Sequence, residues 1–350
     1  MIEMINYEVM SEQKQRIEWI DLAKGITILL VIVGHTVSEG FWGQIVRGII
    51  FSFHMPLFFI LSCATYRTSN TWPQFTKKLK KSAKYLLLPA LATFSLDILI
   101  QYVQAINSYN LGLEFWKDKL FTLVFASGVS TSYNGFDVAG LGIAWFFFAL
   151  FIGRTTFDYI QLSVKEGSKL LLFSCVISMA GVLYGKIQWM PFSMDVALAS
   201  MPFFYFGHCM QYMNLTESPL NKLGFWFVVW IGTLALTFTG SWTYMELAVR
   251  RYPLFPICYI TAIAGTMAVV ELSVLLCRLK KTMSGFILIG KNSMYLLCIH
   301  IMDGYMKFIW GGEEENQWIL SARRIVFDLI LFGAVMLIRK AICSKGKFDG

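Results

Sequence analysis

Four histidines, His35, His54, His208 and His300, fall inside long apolar runs. A polar ring is costly in hydrocarbon, so one found there marks a pathway or a reactive centre, and imidazole is the side chain suited to moving protons near neutrality. In the run WIDLAKGITILLVIVGH, Lys24 and His35 stand eleven residues apart, about three turns and roughly 16 Å along one face of a helix. Asp21 precedes Lys24 by three residues on nearly the same stripe and can pair with it. By itself Lys24 would serve equally as a snorkelling interface anchor. His35 is deeper, roughly 22 Å along the helix from its start, and needs a wet cavity or a polar partner. His54, in SFHMPLFFILS on the returning run, lies roughly 15 Å inward at a comparable depth, and Pro56 is expected to kink that helix and free a carbonyl beside it. His300, in NSMYLLCIHIMD, rises to about the level of His35, whereas His208 ends near the level of Lys24. A plain helix–helix hydrogen bond is the bland alternative for each ring.

The elements that must hold these side chains are apolar helices. The 350 residues are 56% hydrophobic, 16% aromatic and 15% charged, with a mean hydropathy of +0.58, too little charge to cover a soluble surface of that size. Windows matched to a membrane span of about 20 residues place helices near 20–38, 44–65, 85–106, 140–161, 170–186, 194–213, 223–240, 254–277, 285–307 and 320–342. The expected fold class is all-α, a polytopic membrane bundle of about ten transmembrane helices in one domain over residues 1–350, without repeats or linkers. Twenty of the thirty Lys and Arg fall on the N-terminal side of this arrangement, eight on the other, and Arg47 and Lys291 inside spans. That bias puts both termini in the cytoplasm, and it makes membrane lipids rather than nucleic acid the partner for a net charge of +8.

The first eighteen residues lack the apolar core and cleavage site of a secretory signal, so the N-terminus is expected to be retained. Seven cysteines without paired spacing predict neither a disulfide framework nor structural zinc. Residues 107–139 form the longest external connection, with an amphipathic stretch, WKDKLFTLVFA, and a polar one, SGVSTSYNG. An ordered cap with an interfacial helix and a plain connector are both compatible with that pattern.

Taken in order from Trp19 to about Leu337, the Lys-x10-His span, SFHMPLFFILS, AWFFFALF, MPFFYFG and GKNSMYLLCIH resemble the acyltransferase family 3 membrane proteins, in particular the sugar O-acetylases related to fucose 4-O-acetylases. The family's Arg-x10-His motif falls on Lys24 and His35, a point charge where a planar fork is usual. The Ser-Gly that often ends the next helix reads Ser62-Cys63, and the family's basic stretch maps onto Lys77, Lys78, Lys80, Lys81 and Lys84 with no Arg-x-x-Arg. The resemblance implies a multi-pass O-acyltransferase of the bacterial plasma membrane. It would take acetyl from cytoplasmic acetyl-CoA, with no permanently bound cofactor, and deliver it to a hydroxyl of a glycan or other acceptor on the far side.

On that footing His35 is the expected general base, since a desolvated neutral imidazole can take the acceptor hydroxyl's proton as it attacks the thioester. An acyl-enzyme is the two-step alternative. Lys24 would hold donor phosphate or the pantetheine arm, and His54 or His300 would orient His35 or polarise the carbonyl. Lys77, Lys80 or Lys81, and Lys84 share a helical face that suits either CoA phosphates, with Lys77, Lys81 and Lys84 as the expected contacts, or anionic lipid. Asn292, Ser293 and Tyr295, close to His300, and Trp145, an aromatic wall for a sugar ring, complete the expected substrate contacts, with ordinary helix packing as their alternative. No metal is expected, because no His-Glu-x-x-His motif is present. A secondary transporter relaying protons through His35, His54 and Glu271 is the rival from another class, and a same-fold module acting on a non-carbohydrate acceptor is a third reading.

Overall fold

Runs of Leu, Ile, Phe and Val in a medium without water leave the backbone no polar partner but itself, so each run closes its hydrogen bonds internally as helix. The computed structural model describes residues 17–106, 112–133, 135–164, 166–215, 218–239, 243–311 and 316–345. The expectation for the N-terminus over residues 1–16, and residues 107–111 and 134 of the long connection, lie outside the described residues.

The helices are α1 (Glu18–Thr36), α2 (Gly40–Phe51), α3 (His54–Ala64), α4 (Trp72–Ile106), α5 (Leu113–Phe125), α6 (Trp145–Ser163), α7 (Gly167–Ile187), α8 (Met194–Ala199), α9 (Met201–Met210), α10 (Pro219–Phe238), α11 (Ile257–Leu276), α12 (Lys280–Lys291), α13 (Ser293–Met302), α14 (Lys307–Trp310) and α15 (Gln317–Lys345). A two-stranded antiparallel hairpin, β1 (Thr131–Tyr133) with β2 (Phe136–Val138), pairs Thr131 with Val138 and Tyr133 with Phe136.

Among the described residues, seven helical segments are long and apolar enough to cross a membrane, or eight if the bent pair Lys281–Lys291 and Ser293–Trp310 counts as one span. The expected count was higher. The run 194–213 folds as two short helices, α8 and α9, and the run 320–342 lies within the 29-residue α15. The third span begins at Trp72 rather than near residue 85, because the lysine-rich segment continues the same 35-residue helix. One rod therefore carries Lys81 and Lys84 toward one end and Asp97 and Gln101 thirteen or more residues further along, about 20 Å away.

The second expected span is broken just ahead of its histidine. α2 stops at Phe51, Ser52 donates to the Ile49 carbonyl at 2.7 Å and accepts from Trp230 Nε1 at 2.9 Å, and α3 restarts at His54. Pro56 therefore sits in the first turn of α3 rather than kinking a continuous helix, a position where its missing N–H costs little. In the long connection the amphipathic stretch is α5 and the polar stretch the hairpin, joined by Phe125 on Tyr133 (ring centroids 4.7 Å apart) and Phe121 stacked on Phe136 (6.3 Å). Its described part is thus a helix and a hairpin packed on each other rather than a plain connector.

The core is aromatic where the helices converge: Phe59, Phe147, Phe157, Phe203 and Phe204 are fully buried, and the Phe59 ring lies 5.4 Å from those of both Phe146 and Phe204. α1 and α12 cross at two glycines, where a Cβ on Gly25 would collide with the Phe286 carbonyl and one on Gly290 with that of Asp21. This close approach brings Lys24 and Lys291 to the wall of one cavity.

Candidate functional site

Four cavities follow one another through the bundle. The first, a groove of about 870 Å³, is lined by Arg67, Lys78, Lys81, Lys84 and Arg154, with no acidic side chain in its wall, and by the apolar Leu88, Pro89 and Met294. It shares Thr65, Tyr85, Arg154 and Met294 with a second cavity of about 230 Å³ that holds Lys24, Lys291 and Ser293. Met55 and Ile143 pass from there into a third, a chamber of about 220 Å³ walled by His35, Arg47, Phe51, His54 and Trp145. Gly142 and Ile143 also belong to the wall of a fourth, outer cavity of about 450 Å³, whose wall includes Asp97, Gln101, Asp118, Lys119, His300, Asp303 and Arg324.

The sequence motifs supply these walls locally. α1 presents Lys24 to the second cavity and His35 to the chamber on one face, as their spacing requires. α3 starts at His54, whose Nδ1 lies 3.1 Å from the Ile50 carbonyl. A carbonyl only accepts, so Nδ1 carries the hydrogen and Nε2 is left with its lone pair. The chamber is held open by Arg47, which donates to the Gly34 carbonyl (3.1 Å) and the Tyr244 hydroxyl (2.9 Å) and lies 4.3 Å over the Phe51 ring. His35 packs against Phe51 (5.3 Å) and against His300 (5.8 Å, tilted 50°).

Not every expected residue joins this centre. Lys81 and Lys84 line the groove, while Lys77 is exposed outside its wall and Lys78 takes its place, with Nζ donating to the carbonyls of Arg67 (2.7 Å) and Thr68 (2.9 Å). Trp145 is in the histidine chamber. Ser293 and Tyr295 belong to the lysine end, and the Asn292 side-chain amide oxygen, Oδ1, accepts from Arg339 at 3.0 Å. These three therefore sit apart from His300: Ser293 and Tyr295 stand on the first turn of α13, roughly 8–10 Å along the helix before His300, and Asn292 lies at the bend that precedes that turn. His208 makes a 3.4 Å contact with Gln161 and lines none of the four cavities, and the same is true of the buried Glu271.

Several residues went unmarked in the sequence. Arg154, counted there only as a topogenic charge, donates to Ser62 and Ser82 at the junction of groove and second cavity. Tyr66 donates to Asp158 at 2.8 Å, and its phenol is raised from its ordinary range by burial first and by that carboxylate second, so it stays a donor. Asp303 and Asp328 each place an oxygen 3.1 Å from His300 Nδ1. An ionisable residue inside an apolar run was the available signal for Arg154, Asp303 and Asp328, while Tyr66, in the polar stretch after the second span, carried none.

His300, Asp303 and Asp328 offer three ligand atoms within 4.8 Å of one another, a set that could hold a metal ion. The fit is poor, because Arg324 already occupies both oxygens of Asp303, at 2.5 and 2.6 Å, and a second cation there would meet the guanidinium.

A family model described as an acyltransferase domain matches residues 17–338. The nodulation protein NolL of Mesorhizobium japonicum is 25% identical over 178 residues, covering 46% of this chain and 42% of that protein, so the chain spans less than half the length of this curated relative. No solved structure matches. The family match runs through every segment that walls the four cavities, and on it the chain belongs to the acyltransferase family 3 membrane proteins.

Proposed function

We propose that this protein is an integral membrane O-acyltransferase that moves acetyl from acetyl-CoA, entering at the lysine-bearing groove, to a hydroxyl of a glycan entering from the opposite cavity. The observation that carries this reading is the string of four cavities, with Ile143 in the walls of three of them and His35 and His54 in the wall of the chamber that shares residues with both the lysine-bearing cavity and the outer one. A groove with five cationic side chains and no acid suits the nucleotide phosphates of CoA. The chamber, at about 220 Å³, is below the roughly 300–1,000 Å³ of pockets that take drug-sized ligands and suits a short acyl group. The outer cavity mixes Asp97, Asp118 and Asp303 with Lys119 and Arg324, donors and acceptors together, as a polyhydroxylated acceptor would use.

In this reading His35 takes the hydroxyl proton while the hydroxyl oxygen bonds to the thioester carbon. The carbon–sulfur bond breaks, and the proton returns to the departing CoA sulfur. Lys24 holds the donor on the approach, and the cytoplasmic face of the bacterial plasma membrane is the lysine-bearing one. Purified protein in proteoliposomes, supplied with radiolabelled acetyl-CoA and extracted surface glycan, tests it. Label on the glycan is expected; solute flux without CoA release would point to a carrier instead.

A further inference from the structure

His300 is set up differently from the other histidines. Its Nδ1 lies 3.1 Å from Asp303 Oδ2 and 3.1 Å from Asp328 Oδ2, and all three side chains are buried. Asp303 is matched by the Arg324 fork and by that charge alone is fixed as an acceptor, so the ring nitrogen facing it carries the hydrogen. Nε2 is then the lone-pair nitrogen. It is buried with no hydrogen-bond partner among the described residues, and the same is true of Asp328 Oδ1. The His35 ring is 5.8 Å away, and the two rings stand where the chamber and the outer cavity adjoin. Asp328 meets the Nδ1–H of His300 and has no arginine of its own among the bonds described, so its charge is available to a ring that gains a proton.

We propose that His300 receives at Nε2 the proton that His35 takes from the acceptor hydroxyl, and that Asp328 is the positioning residue that holds the ring for it through Nδ1. This rests on the acyl-transfer reading. The proton's path balances: the hydroxyl O–H bond breaks at His35, the proton moves to His300 as the carbon–sulfur bond breaks, and it returns through His35 to the CoA thiolate, leaving both rings neutral. The pairing of a ring nitrogen with a buried carboxylate supplies orientation and charge, as in other hydrogen-bonded base–carboxylate pairs. Asp303, already matched by Arg324, contributes the second fixed acceptor and anchors the turn after α13, where Trp310 Nε1 donates to its carbonyl at 2.9 Å.

The test compares the unaltered protein, His35→Ala, Asp328→Asn, Asp328→Glu and His300→Gln in proteoliposomes, reading CoA release from acetyl-CoA with a panel of nitrophenyl glycosides as acceptors. Asp328→Asn is expected to lower kcat about 100-fold with KM for acetyl-CoA unchanged, to enlarge the solvent deuterium isotope effect on kcat, and to be partly rescued in Asp328→Glu. A purely structural role would lower the yield of folded protein and leave the isotope effect alone. If Asp328→Asn does not fold, His300→Gln carries the same expectation. Turnover within threefold of the unaltered protein in either variant, with His35→Ala inactive, overturns the proposal and leaves acyl transfer standing. So does activity lost on chelation and restored by one divalent cation, which would make the cluster a metal site. No CoA release by the unaltered protein with any acceptor would instead remove the acyl-transfer reading itself.

Discussion

His35 and Lys24 occupy one face of one helix, yet they meet different cavities, and that division predicts different kinetic consequences. His35→Ala should reduce acetyl transfer by about 10²- to 10⁴-fold, the usual range for a lost general base, while detergent-extracted protein keeps its elution volume. Near-normal transfer by that variant would remove the ring from the reaction. Lys24→Ala should raise KM for acetyl-CoA about tenfold, the scale of one charge-assisted hydrogen bond, and Lys24→Arg should restore it. A fall in kcat with KM unaltered in Lys24→Ala would place this lysine at the chemistry rather than on the approach.

At the scale of elements, the decisive feature is the turn before α6, where Gly142 belongs to the walls of two cavities and Ile143 to the walls of three. Ile143→Trp would fill that junction. Overpacking of this kind costs about 1–3 kcal/mol of stability, too little to prevent insertion, whereas transfer between the two faces should fall at least tenfold while donor binding, read by isothermal calorimetry with CoA, stays unchanged. Equal transfer in the variant would mean that donor and acceptor meet somewhere else. The break at Ser52 and Phe53 matters for the same reason: it starts α3 at His54 and leaves the Ile50 carbonyl to hold the ring's Nδ1.

Across the whole molecule, charge is sorted by end: cationic side chains without acids at the groove, mixed signs at the outer cavity. Replacing Lys81 and Lys84 together by Glu should raise KM for acetyl-CoA strongly and reduce its salt dependence, because exposed charges act over a Debye length of about 10 Å at 0.1 M salt. Rate measurements between low and high salt check this. An unchanged KM in the double variant would assign these lysines to anionic lipid.

Composition and apolar run length by themselves determined that the chain is a bundle of membrane helices, and the Lys-x10-His spacing determined that Lys24 and His35 share a face, because helix periodicity is a local property. Only the tertiary structure decided that Arg154 stands at the groove's inner end, that Asp303 and Asp328 flank His300, and that Asn292, Ser293 and Tyr295 lie away from it. Asp328 is 28 residues from His300 in the chain, and no local pattern encodes which faces of α13 and α15 meet. That choice is made by packing, through close crossings such as Gly25 on Gly290, where the backbones approach only because neither residue has a side chain.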